Sequence, residues 1–186
     1  EVLRGFEELC GDASEIEIVT VALGPGAFNA LRVAVSAAKG FAAGTGAALV
    51  GIETLLAEAL RCPPAAGRVR AVLRASRSGL ATAVFTWSEA EWRKTEEERF
   101  VDHATLAALL QPGTLLCGED AEEVSKQVML LSGVSPAVVR PVSPSRLATL
   151  AAEGWRRSRS GDVPPAATLQ PLYVRPPHIT TPKDRR

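Results

Sequence analysis

Residues 15–46 constrain the fold more tightly than any other part of the chain. The run EIEIVTVAL (15–23) is rich in β-branched residues and ends at glycine, which predicts a buried strand. Gly24, Pro25 and Gly26 make a sharp turn, and residues 28–43 then read as a helix ended by Gly44 and Gly46. Phe28, Leu31, Val35, Ala38 and Ala42 form one apolar face of that helix, and Ala30, Ala34, Ala37 and Phe41 a second. Only a narrow stripe of Asn29, Arg32, Ser36 and Lys39 is polar. A helix apolar on nearly all sides has more than one apolar neighbour. One neighbour is its own sheet. The other is either a further layer of the same domain or a helix of another chain, which small residues would allow to approach closely. The glycine turn also leaves backbone N–H groups at the helix start, where an anion could sit. No Lys or Thr follows in phosphate-loop spacing, so the turn reads as structural.

The rest of the chain alternates strand and helix. A strand (47–52) and a helix (54–61) run into the Cys62–Pro63–Pro64 break, which ends at Gly67 and is the best domain boundary in the sequence. Residues 68–75 and 80–87 flank Ser76–Arg77–Ser78–Gly79 as a hairpin, and the charge-rich 91–101 is a third strand with one side in solvent. A short helix (103–110), a strand (114–117), a helix (119–131) and a strand (137–140) follow. Ser143–Pro144 predicts a helix start with Leu147, Leu150, Ala151 and Trp155 inward. This order gives an N-terminal lobe (1–62), a linker (63–67) and a C-terminal lobe (68–163) whose helix 144–158 packs back on the first lobe. A Pro-rich tail (164–186) follows, its last residues mobile.

Composition removes several classes of function. Hydrophobic residues make up 46% of the 186, so the chain folds. Lys+Arg and Asp+Glu stand at 21 each, which leaves no broad attraction for nucleic acid or an anionic membrane. The run Arg156, Arg157, Arg159 is better read as complementing a helix dipole than as a phosphate contact. Cys10, Cys62 and Cys117 are odd in number and widely spaced, which fits reduced thiols in a cytoplasmic setting and neither a zinc site nor a disulfide framework. No apolar run nears the ~20 residues of a membrane span. No signal peptide is legible, and the helical recurrence of Val2, Phe6 and Leu9 from the outset predicts further chain before Glu1.

Chemistry is equally sparse. The two histidines, His103 and His178, fall in no metal-binding spacing, and no G-x-S-x-G elbow occurs. The carboxylate runs at Glu7/Glu8, Glu96/Glu97/Glu98 and Glu122/Glu123 read as solvated faces. No catalytic constellation, metal site or cofactor is expected.

The stretch GPGAFNALRVAVSAAKGFAAGTGAALVGIETL resembles the GPGSFTGLRIGVATAKGLA…G…LVGVSSL signature of the TsaB (YeaZ) family, the bacterial partner subunit in tRNA threonylcarbamoyladenosine (t6A) biosynthesis. TLLCGEDA is similar to that family's LVGDGA segment. The region from Pro144 is similar to its P-x-A-x-x-L-A helix, and LQPLYVRPP to its PLYLRP. The resemblance implies the actin-like (ASKHA, RNase H-like) two-lobed α/β fold, without its first strands, because the family's first hairpin would precede Glu1. Departures occur at Ala27, Asn29 and Ala30, where the family has Ser, Thr and Gly. A further one is the stretch Arg74–Gly79, which lacks the family's acidic residue.

What the resemblance implies about function is a non-catalytic scaffold subunit that binds a TsaD-like threonylcarbamoyl transferase. A TsaE-like ATPase joins the same assembly, tRNA is met through the complex alone, and a homodimer can form on the same surface. The residues expected at the partner surface are Val2, Phe6, Leu9, Ala30, Arg32, Val33, Ala34, Ala37 and Phe41, with Gly24, Pro25, Gly26 and Phe28 as the motif turn. The resemblance leaves room for a nucleotide at a partner interface. Two alternatives stay open at this point: an actin-like ATPase or kinase relative that binds nucleotide between its lobes, and a homologue that only self-dimerises.

Overall fold

A computed structural model describes residues 12–76, 79–111, 113–142 and 145–174. Val2, Phe6 and Leu9, the Ser143–Pro144 helix start, His178 and the chain's last residues lie outside that set. After a short 3-10 turn at Ala13–Glu15, strand β1 (Ile18–Gly24) leads into helix α1 (Phe28–Thr45) and back to strand β2 (Ala48–Glu53). The two strands pair in parallel, Ile18 with Ala48 through to Gly24 with Glu53. Alanine-rich composition favours α1, and Gly46 ends it in the left-handed conformation (φ +79°) with its N–H on Ala42 O at 2.9 Å.

Strand parity decides what covers each face of this small sheet. Val19, Val21 and Leu49 point toward α1 and meet Val35, Ala38 and Ala42. Gly51 is small because the Leu23 side chain occupies the space a Cβ would need, at 2.7 Å. Ile18, Ala22, Val50 and Ile52 point the other way, toward helix α2 (Thr54–Leu60) and helix α5 (Arg146–Arg159). The N-terminal lobe is therefore three layers deep, α1 on the sheet on α5.

The C-terminal lobe is built on a five-stranded sheet of order β5-β4-β3-β6-β7. Strands β3 (Arg68–Arg74), β4 (Leu80–Ser88) and β5 (Glu91–Val101) form an antiparallel meander. Strands β6 (Leu115–Cys117) and β7 (Ala137–Val138) add in parallel on the other edge of β3. Helices α3 (His103–Leu109) and α4 (Ala121–Ser132) cover one face through Leu106, Val124 and Val128, which meet Val72, Leu80 and Leu116. Helix α2 covers the other with Leu55 and Ala59, against Val69, Ala71, Phe85 and Cys117. Because its Ala57 and Leu56 also face β2 and α5, α2 is shared between the lobes.

One expectation needs correction. Helix α5 does not turn Leu147, Ala151 and Trp155 inward: Leu147 is 78% exposed, Trp155 54%, and Ala151 lies in solvent. The buried side is Thr149, Leu150, Glu153 and Gly154. The reason is a close backbone approach, since a Cβ on Gly154 would fall 2.0 Å from Thr20 Oγ1 of β1. A small residue must face the sheet there, and the apolar residues are rotated away. The helix starts at Arg146, capped by Ser145 Oγ, which accepts from Ala148 N at 3.4 Å.

A single buried carboxylate joins these pieces. Glu58 on α2 is 2% exposed. Arg61 Nη1 donates to its Oε2 at 2.8 Å, and Arg146 Nε, at the start of α5, donates to its Oε1 at 2.5 Å. Arg146 Nη2 is in turn 3.0 Å from Glu119 Oε2, in the turn after β6.

Gly154→Ala should lower stability by about 1–3 kcal/mol through overpacking, and Thr20→Ala in the same chain should restore a good part of it, as read by urea melts. Glu58→Ala, which leaves two guanidinium groups without their shared carboxylate, should cost about 3 kcal/mol or more in the same assay.

Candidate functional site

The glycine turn and the far end of the chain meet. Gly24 closes β1 at φ +112°, a conformation that favours glycine. A Cβ there would lie 2.6 Å from Leu172 O and 2.8 Å from Leu31 Cδ1. Leu172 N donates to Leu23 O at 2.7 Å, which fixes the tail against the end of β1. Next to it the Tyr173 ring packs on Phe28 with centroids 4.7 Å apart and planes at 35°. The Arg32 guanidinium sits 5.4 Å from the centroid of the Phe28 ring. Further along α1, Leu169 is buried against Val35 and Ala38, and Lys39 Nζ donates to Ala167 O at 3.3 Å. The tail segment 166–173 thus runs along one flank of α1 and helps to fix the helix on its sheet.

With one side on the sheet and one flank under the tail, α1 has a third side in solvent. Asn29, Ala30, Val33, Ser36, Gly40, Ala43 and Gly44 are all exposed, Val33 to 53%. A Cβ at Gly40 or Gly44 would meet nothing within 4 Å. Of the residues expected at a partner surface, Ala30, Arg32 and Val33 are on this exposed side and Ala37 borders it. Ala34 and Phe41 are not: both pack against the Val19–Val21–Val35 cluster. A helix repeats every 3.6 residues, so the face opposite Leu31, Val35, Ala38 and Ala42 is centred on Val33, Ser36 and Gly40. In the motif turn Gly24 and Pro25 are buried, Gly26 is exposed and Phe28 is half-buried under Tyr173.

The charged clusters are occupied with one another. At the end of β2, Glu53 binds Lys94 of β5 through both oxygens, at 3.0 and 2.9 Å. Lys94 Nζ also donates to Glu98 Oε1 at 2.5 Å. Burial alone would lower the Lys94 ammonium, but the hydrogen bonds to Glu98 and Glu53 outweigh it and hold the group well above its ordinary value. A lysine so held stays protonated and offers neither a nucleophile nor a base. Burial is also the largest influence on Glu53 and pushes it up. Glu98 is desolvated too, but its bond to Lys94 brings it below the usual range. This cluster ties the C-terminal meander to the end of β2.

Arg156 and Arg157 do not project outward as a basic patch. Both fold back on Glu153, at 2.8 and 2.7 Å, while Arg159 sits over the exposed Trp155 ring. Burial raises Glu153, but the two guanidinium groups overcome it and bring the carboxyl below its ordinary range. His103 is half-buried at the first position of α3, beside Asp102, whose Oδ1 caps the helix by accepting from Thr105 N at 2.7 Å. Among the described residues, no three His, Cys, Asp or Glu side chains come close enough to hold a metal ion, and no helix is long and apolar enough to cross a membrane.

Comparison with known proteins fits this geometry. Residues 5–154 match the model of the family described as TsaD, tRNA N6-adenosine threonylcarbamoyltransferase. The chain belongs to that family. Among solved structures it is similar to YeaZ from Pseudomonas aeruginosa, with a TM-score of 0.71 and 17% identity over 93% of this chain and 84% of that one. A second similar structure is that of an uncharacterized protein with similarity to peptidase YeaZ from Pseudomonas aeruginosa. Its TM-score is 0.66 and its identity 20%, covering 94% of this chain and 81% of that one. No curated protein matches. The fold is thus the actin-like α/β fold, of the YeaZ type, and the family places the chain in the context of t6A modification of tRNA.

The tail contact is the part of this site that the residue pattern did not disclose. Its one signal is LQPLYVRPP, in which two apolar residues and a tyrosine interrupt a proline-rich stretch.

Glu153→Gln should destabilise the chain by about 1–2 kcal/mol at neutral pH, less than a fully buried pair because Arg156 is more than half exposed. A carboxyl lowered by folding stabilises above the unfolded range and loses that contribution as pH falls through the lowered value. Wild type and variant should therefore converge in melts taken below the ordinary glutamate range.

Proposed function

We propose that this chain is the TsaB-type partner subunit of the t6A pathway: it binds and supports a TsaD-type threonylcarbamoyl transferase and supplies no catalytic residue of its own. The observation that carries this reading is the third side of α1. Its small, uncharged residues, with Val33 as the one large apolar group, suit the close approach of a partner helix. Its neighbours Phe28, Arg32 and Tyr173 supply aromatic and guanidinium groups, the types that most often anchor interfaces. Val2, Phe6 and Leu9 are proposed to belong to the same partner surface. The same surface can pair with its own copy, so a homodimer is the competing state. A TsaE-like ATPase would join, and tRNA would be met, through the assembled complex.

The charge balance favours this reading over direct capture of tRNA, as does the neutralisation of Arg156 and Arg157 by Glu153. So does the protonated, ion-paired state of Lys94, held between Glu53 and Glu98.

The test is direct. Val33→Glu and Gly40→Arg both face solvent, so neither should lower the melting temperature, and the second should favour the helix. Each should weaken binding to a TsaD-type subunit at least tenfold in calorimetry, and the pair should abolish it. Leu130→Glu, on exposed α4 of the other lobe, should leave binding unchanged. Wild-type affinity in the Val33→Glu, Gly40→Arg chain would overturn the surface assignment.

A further inference from the structure

A buried arginine in the C-terminal lobe has a donor to spare. Strand register sets Arg70 of β3 opposite Val84 of β4, and Val84 opposite Glu96 of β5, so the three share one cross-strand row. Arg70 is two residues from Val72 on β3 and therefore lies on the face that α3 and α4 cover. Its side chain is 5% exposed. Arg70 Nη2 donates to Glu96 Oε2 at 2.8 Å, and the other oxygen of Glu96 accepts from Arg68 Nη2 at 2.9 Å. The Nε–H of Arg70 is buried and has no hydrogen-bond partner among the described residues. A charged donor in that state is costly, and folded proteins rarely keep one without a partner for it.

The space beside it suits such a partner. A cavity of about 80 Å³ is lined by Arg68, Arg70, Gln111 and Thr114, with Val84 and Leu109 as apolar walls. One water needs only ~15 Å³ of such space, so the cavity admits a group of several heavy atoms. Charge decides which kind. Two guanidinium groups meet one carboxylate, and both oxygens of that carboxylate are already engaged, so the cluster carries one net positive charge. Thr114, just ahead of β6, accepts from Gln111 N at 3.1 Å through Oγ1, which leaves its hydroxyl proton for an acceptor. An oxyanion answers the spare charge and the spare donors together.

We propose that this cavity is a binding site for a small oxyanion, a carboxylate or phosphate group. Arg70 Nε–H is its buried donor, and Arg68, whose side chain is 51% exposed, is the cation at the mouth. Glu96 does not bind the anion; it holds the two guanidinium groups in place. A bound anion touches both β3 and the connection into β6, and so stabilises the C-terminal lobe. The site is in the other lobe from α1 and rests on nothing in the partner reading.

The ¹⁵N-labelled full chain, titrated with sodium phosphate, sodium acetate and, at matched ionic strength, sodium chloride, reads this out at the arginine Nε–H resonances. The Arg70 signal, assigned by its loss in Arg70→Lys, should shift and saturate with an oxyanion and not with chloride. Saturation by phosphate alone, by acetate alone, or by both names the group the site takes. Arg68→Gln, a change at the surface, should weaken that titration. In thermal melts the same oxyanion should raise the wild-type midpoint, and Arg70→Lys should need about tenfold more of it for an equal rise. If Arg70→Lys does not fold, the wild-type and Arg68→Gln titrations still decide. No saturable shift with either oxyanion, the same shift with chloride, or an unchanged titration in Arg68→Gln would overturn the proposal.

Discussion

The two lobes depend on one buried carboxylate. Glu58 sits on a helix that has no solvent side for most of its length, because Leu55 and Ala59 face one sheet and Ala57 faces the other. An unpaired carboxylate there would be very costly. Arg61 and Arg146 remove that cost, and Arg146 does so from the first residue of a helix more than eighty positions later in the chain. The pairing fixes where α5 begins. Its register then puts Gly154 over Thr20, the point at which only a glycine fits. Apolar burial supplies most of the favourable free energy; the ion triad and the glycine contact decide which arrangement of the helices it favours.

With α5 fixed on one face of the N-terminal sheet, the chain that follows it can return to the other. Residues 166–173 do so beside α1, where Leu172 bonds to Leu23 and Tyr173 covers Phe28. The glycine turn at the end of β1 is therefore less a ligand loop than a meeting point. Its left-handed Gly24 lets the Leu172 carbonyl come within the space of a methyl group. What remains of α1 after sheet and tail are accounted for is one narrow, small-residue strip in solvent. Packing against both the sheet and the tail accounts for two apolar faces on one helix.

Much of this was legible in the sequence, for physical reasons that differ by region. The alternation of strand and helix through residue 140 could be read because glycine and proline punctuate it and the periods of 2 and 3.6 are clean. The first face of α1 (Leu31, Val35, Ala38, Ala42) was legible for the same reason. The second was misassigned at Ala34 and Phe41, since a periodicity cannot say how wide the sheet beneath a helix is. Helix α5 was misread because hydrophobicity favours Leu147 and Trp155 as its core, whereas the close approach at Gly154 selects the small side. The meeting of Lys94 with Glu53, and of the tail with Phe28, depends on long-range register that no local pattern carries.

We propose that a TsaD-type transferase subunit binds the exposed side of α1. Hydrogen–deuterium exchange of the full chain, alone and with that subunit in excess, tests it most directly. Slowed exchange should concentrate in peptides covering residues 28–45 and 170–174, with α3 and α4 unchanged. Protection centred on α4 or on the β4–β5 turn, with α1 exchanging as in the free chain, would contradict it.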